Sequence, residues 1–237
     1  VASLTSQNIS AEFFGSSFSA QKIMSQDLGA GSFSWSGKLS YPHKGFLSFA
    51  RLRDQVKGSL TFLDGKGYSF NGHAHSLEVR EGFQVSKPCG GCKFENGVLP
   101  PDPRNRAQPV QSWRNGDANL VDLLVVYPTA VRSEAGGANA VEAVIASAVA
   151  DSNLCYRNSS VPMQLRVVHV AEVNYTPTGQ MSIDLSRLKT PSDGYMDEVH
   201  SLRNQYGADL VSLLTTTSDS GGLASTMTHP KLGFESS

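Results

Sequence analysis

The sequence predicts an α+β chain in two parts: an antiparallel β-domain over residues 1–87, and an α/β unit over residues 120–237. Three observations carry this. Apolar residues recur at every second position in the first half. They recur at helical spacing, between short apolar runs, in the second. A proline-rich stretch over residues 88–119 separates the two patterns.

In the first half Phe33, Trp35, Gly37, Leu39 and Tyr41 alternate with Ser34, Ser36, Lys38 and Ser40. A period of two is the mark of a strand with one packed and one wet face. Val56, Gly58, Leu60 and Phe62 repeat it, and Tyr68 and Phe70 resume it after Asp64-Gly65-Lys66-Gly67. Those turn residues tolerate the positive φ that a tight hairpin needs. Leu77 and Val79, then Phe83 and Val85 across Glu81-Gly82, extend the meander, so residues 10–87 should hold little or no helix.

Pro88, Pro100, Pro101, Pro103 and Pro109 favour extended, unpaired backbone, which makes residues 88–119 a linker. Arg104-Asn-Arg106 within it is either a protease-sensitive site or an ordinary solvated loop. Beyond the linker, Leu120–Tyr127 is apolar except for Asp122, as expected of a strand covered on both faces. Val141, Val144, Ile145, Ala148, Val149, Ser152 and Cys155 lie on one face of a helix of several turns. Met163–Val173 reads as a second strand, residues 192–205 as a second helix with Tyr195, Val199 and Leu202 buried, and Leu210–Leu214 as a third strand. Strand–helix–strand–helix–strand predicts mainly parallel pairing.

Composition narrows the function. Twenty Lys and Arg against 21 Asp and Glu leave a net charge of -1, without the basic excess that nucleic-acid binding requires. No apolar run is long enough to span a bilayer. The first residue is Val, so the chain reads as processed or excised. Few charges, few Lys and many Ser, Thr and Gly suit a secreted, extracellular protein; sequons at Asn8, Asn158 and Asn174 are common by chance and matter only in a eukaryotic secreted one. Cys89 and Cys92 form a lone C-x-x-C; with no second ligand pair at zinc-ribbon spacing, a disulfide is its plain reading, and with Cys155 the odd count leaves one thiol over.

No active site is complete. His73-x-His75 would project from one strand face, either as a metal pair without a third ligand or as two exposed strand residues. His169 reads as a packed strand residue. His200 sits beside Asp197 and Glu198, but the chain lacks His-Glu-x-x-His, the spacing that sets two imidazoles and a general base on one helical face. A Gly-x-Ser-x-Gly elbow and phosphate-binding glycine loops are also missing.

A resemblance fills part of this gap. Val121-Asp-Leu-Leu-Val-Val-Tyr-Pro-Thr-Ala-Val131 resembles the first strand of the reprolysin-like metzincin metallopeptidases. The helix containing Ala150-Asp-Ser-Asn153 is similar to their first long helix. Ser160-Val-Pro-Met-Gln-Leu-Arg-Val-Val168 resembles their second strand, and Tyr206-Gly-Ala-Asp-Leu-Val-Ser-Leu-Leu214 their third. Ser220-Gly-Gly-Leu-Ala-Ser225 resembles the loop and edge strand that line the substrate cleft.

The resemblance implies an N-terminal β-rich pro-domain followed by the upper subdomain of a zinc endopeptidase acting on peptide or protein substrates. It implies Gly221, Gly222, Leu223, Ala224 and Ser225 as the cleft edge, where an extended peptide adds through main-chain hydrogen bonds. The glycines there either ease that approach or merely shape a turn. Zinc is implied for the full-length protein, held by three histidines of a helix expected beyond Ser237, so the chain itself is expected to bind no zinc and to be inactive. Cys89 or Cys92 is placed either as an inhibitory thiolate on that zinc or in a disulfide. The alternatives are a non-catalytic extracellular binding module on a metzincin-like scaffold, complete as it stands, and a secreted α/β hydrolase of another class.

Overall fold

The computed structural model describes residues 3–64, 66–73, 76–82 and 119–225. The linker, Cys89, Cys92, His75 and Phe83–Val85 lie outside the described residues.

Seven strands follow one another along the first half: β1 (Asn8–Phe13), β2 (Ser16–Gly29), β3 (Ser32–Leu39), β4 (Gly45–Leu52), β5 (Gln55–Phe62), β6 (Gly67–His73) and β7 (Ser76–Glu81). Each pairs antiparallel with the next, in sequence order. The alternation read from the sequence sets the inner face. Phe33, Trp35 and Leu39 of β3, Leu47 and Phe49 of β4, Leu60 of β5 and Phe70 of β6 form one buried cluster. The sheet curls enough to bring Phe13 of β1 to within 5.6 Å of the Phe70 ring, centroid to centroid. Trp35 is fully buried, and its indole N–H donates to the Ser6 carbonyl at 2.9 Å. Gly58 lies opposite Phe49 on β4 and Phe70 on β6. A Cβ there would stand 2.4 Å from the Phe49 Cβ and 2.6 Å from the Phe70 ring, so only glycine lets the two rings close over β5.

The outer face departs from expectation. Ser34 and Ser36, read as the wet side of β3, are buried, and so is Ser48 of β4. The register aligns Ser36 with Ser48, Ser48 with Ser59 and Ser59 with Ser69, a row of serines across β3–β6. Ser36 and Ser48 hydrogen-bond through their hydroxyls at 2.9 Å. A long helix of the second half covers this row. Alternation alone cannot distinguish water from a neighbouring element as the partner of a polar face. Tyr41, read as continuing the β3 alternation, lies past the strand end and is exposed, before a cis bond to Pro42.

The second half carries β8 (Leu120–Pro128), α1 (Thr129–Ala135), α2 (Ala138–Asn158), β9 (Gln164–Val173), α3 (Met181–Lys189), α4 (Glu198–Tyr206) and β10 (Leu210–Leu213). The sheet order is β10-β8-β9, and both pairs are parallel as expected. Asp122, the polar break in the first apolar run, faces Arg166 across β8 and β9 in a bidentate pair at 2.7 and 2.8 Å. That hydrogen bonding holds the Asp122 carboxyl below the usual carboxylate range.

Three helices differ from the sequence reading, which places none at α1, directly after Pro128. The second helix starts at Glu198 rather than at residue 192, because Ser192, Gly194 and Met196 take positive φ. The α3 helix carries little apolar periodicity; its buried residues are Asp184 and Leu188, and a buried carboxylate leaves no hydrophobic signature.

The first-half core rests on Trp35. Trp35→Ala is expected to cost about 3–5 kcal/mol, read as a lower urea midpoint by circular dichroism. A loss below about 1 kcal/mol would show that the aromatic cluster is not what holds the sheet.

Candidate functional site

Residues 221–225, expected as a cleft edge, follow β10, and their position is set from α3. Asp184 is 2% exposed, yet its carboxylate accepts four hydrogen bonds. One oxygen takes the Tyr175 hydroxyl, the Thr178 amide at 3.0 Å and the Thr178 hydroxyl at 2.8 Å; the other takes the Thr217 hydroxyl at 2.8 Å. Burial pushes this carboxyl up, but the donors outweigh it and hold it below its ordinary value. Arg187, one turn on, lays its guanidinium 3.8 Å from the centroid of the Tyr195 ring. A single side chain thus ties α3 to the segment after β9 and to the segment after β10.

A second tie lies at the α3 N-terminus. The Asp219 carboxylate accepts the Met181 amide at 3.2 Å, where an anion offsets the unpaired N–H groups of a helix start. The Ser220 hydroxyl meets the Met181 sulfur at 2.9 Å. With Thr217, Asp219 and Ser220 held on α3, Gly221–Ser225 borders a hollow of about 470 Å³ shared with β10 and α3. Leu213, Met181 and Leu188 supply part of its apolar lining. Among the described residues β10 pairs only with β8, so its other edge is open toward this hollow.

The structure brings Gly221, Gly222, Leu223, Ala224 and Ser225 together along one side of the hollow, but not as an edge strand. The segment has no ladder partner among the described residues. A strand requires a neighbour at about 4.8 Å, and here the hollow intervenes. No Cβ at Gly222 would meet another atom within 4 Å, so that backbone is open to approach.

The described histidines are dispersed. His43 packs on Phe18, with ring centroids 4.8 Å apart. His73 contacts Asp54 at 3.1 Å and Gln55 at 3.2 Å on the exposed end of β6. His169 stacks on Tyr206 at 3.8 Å, as a packed strand residue should, and His200 lies on α4. No three His, Cys, Asp or Glu side chains among the described residues come together to hold a metal ion. The donors among the described residues therefore do not fit a zinc centre. Cys155 is free and exposed.

Sequence reasoning passed over Asp184, Thr217 and Asp219. Asp and Thr in polar stretches carry no spacing signal, and only the return of the chain after β10 makes them partners.

Comparison with known proteins gives the second half of the chain a family. Residues 117–233 match metallo-peptidase family M12 (Reprolysin_5). The second half of the chain belongs to that family, within its reprolysin-like group. A peptidyl-Asp metalloendopeptidase of Stenotrophomonas maltophilia (strain K279a) is 34% identical over 184 residues, covering 76% of this chain and 42% of the relative. Proteins of the same name from Xanthomonas campestris pv. campestris and Pseudomonas aeruginosa are 33% and 37% identical over 51% and 47% of this chain, and 28% and 18% of their own lengths. The chain thus spans less than half the length of these relatives. The first alignment is longer than the family match, so it reaches outside residues 117–233.

Asp184→Ala is expected to cost about 2–4 kcal/mol, since it leaves buried donors unpaired. The pH dependence has a definite sign. A carboxyl held below its ordinary 3.8 contributes stability above that pH and loses it as pH falls through the lowered value. The melting-temperature advantage of wild type over Asp184→Asn should therefore be full at pH 7 and shrink below pH 3.8; a constant gap down to strong acid would refute the assignment.

Proposed function

We propose that this chain is the pro-region and first catalytic segment of a secreted zinc metalloendopeptidase that hydrolyses protein substrates at aspartyl residues. The observation that carries the reading is the M12 match over the parallel β-α-β unit and the segment after it. The aspartyl preference rests on the names of the relatives. The pro-region assignment for residues 1–87 is supported by a separate curled sheet placed before a linker, and by an alignment that outruns the catalytic match. Secretion is supported by the low charge content and the scarcity of lysine.

The roles divide along the chain. Residues 221–225 present open backbone to which an extended substrate adds by main-chain hydrogen bonding. Asp184 and Asp219 are positioning residues that hold this segment through α3. Zinc would supply the activated water in the longer protein, and its ligands are not among the residues described.

The longer natural protein decides the matter. It should carry about one zinc per chain, cleave an Asp-containing peptide at least tenfold faster than its Asn counterpart, and lose activity to a chelator. A zinc-free protein, or cleavage indifferent to chelation, would sink the reading. Ala224→Pro removes one backbone donor from the edge, so KM should rise about tenfold with a smaller change in kcat. An unchanged KM would remove 221–225 from the substrate path.

A further inference from the structure

Two hollows meet at Ser225. The one of about 470 Å³, shared by β10, α3 and Gly221–Ser225, has a mainly apolar lining. A second, of about 350 Å³, lies between α3, Thr190, Pro191 and Ser225, and most of its lining residues carry hydroxyls. Leu185, Lys189 and Ser225 border both. Among the described residues lining either hollow, Lys189 is the one cation and Asp184 the one anion. Asp184 spends its carboxylate on the Tyr175, Thr178 and Thr217 donors. Arg187, the other cation of α3, lies over the Tyr195 ring. Lys189 is half-buried and pairs with no carboxylate among the described residues. A lysine in the last turn of a helix offsets the carbonyl end of the helix dipole. That accounts for a charge at residue 189, but not for its place against Ser225.

We propose that Lys189 is a specificity-determining residue, whose ammonium pairs with an acidic side chain of the substrate at the position level with Ser225. This deepens the proposed function and rests on its placing of an extended substrate along residues 221–225. Side chains alternate along an added strand, so one of them stands beside Ser225, where the two hollows meet. Leu185 flanks the Lys189 stem on both sides of that point. Apolar walls strengthen the attraction between an ammonium and a carboxylate relative to open water. An asparagine in the same place offers an acceptor without the charge, and a basic side chain is repelled. The Ser225 hydroxyl is available to a second carboxylate oxygen. The preference for an acidic residue thus comes from the end of α3 and is separate from the zinc chemistry.

The test uses the longer natural protein and peptides that differ at one residue, which is Asp, Asn or Lys. Lys189→Ala should raise KM for the Asp peptide about tenfold, with kcat held within about threefold and the Asn peptide nearly unaffected. Lys189→Arg should keep the preference for Asp, and Lys189→Glu should turn it toward the Lys peptide. A role confined to the helix end would lower the melting temperature and slow all three peptides alike. That pattern, or a preference for Asp that survives both Lys189→Ala and Lys189→Glu, overturns the assignment. The two readings fail separately. Cleavage that follows Lys189 but ignores a chelator sinks only the zinc reading, and zinc-dependent cleavage whose preference for Asp ignores Lys189 sinks only this inference. A wild type that cleaves the Asp and Asn peptides equally sinks both the aspartyl preference and the role of Lys189.

Discussion

Two-sided burial of α2 is the constraint on which the rest of the molecule depends. Its apolar stripe closes the small parallel sheet, and Asn153 fixes the start of β9 by acting as a backbone partner for Leu165. Its other stripe receives the antiparallel sheet of the first half. A three-stranded parallel sheet is too small to bury much surface by itself, so the helix that covers one of its faces sets the position of everything after it.

The opposite face of the parallel sheet is covered by another cluster. Leu124 and Val126 of β8 pack with Val173, Tyr175, Leu188, Met196 and Val199. Tyr175 belongs both to this cluster and to the Asp184 hub, so apolar packing and the polar network are continuous. A buried carboxylate with four donors is costly to disturb, because each donor it serves would be left without water or partner. This explains how a loop with few apolar side chains, residues 215–220, holds a defined course. Residues 221–225 inherit their position from that loop.

The β-domain shows different economics of polarity. Its inner face is dominated by aromatic rings, and its outer face by serines that meet a helix. Serine is small, and Ser36 and Ser48 satisfy each other through their hydroxyls, so this stretch of the face can lie under a helix. Asp151 of α2 lies against that face and borders a crevice with Ser48 and Ser59.

The meander, the parallel β-α-β order and the family resemblance were legible in the sequence because each is a local pattern. Period two and apolar runs declare themselves within a few residues. What remained hidden was contact across distance. The serines read as wet are covered by α2, the cleft edge is an unpaired segment rather than a strand, and α3 is organised around Asp184, which no periodicity marks. These outcomes depend on which surfaces meet once the chain has folded back. A polar side chain carries the same letter whether it faces water, a serine row or a ring of buried donors, so tertiary structure alone decided among them.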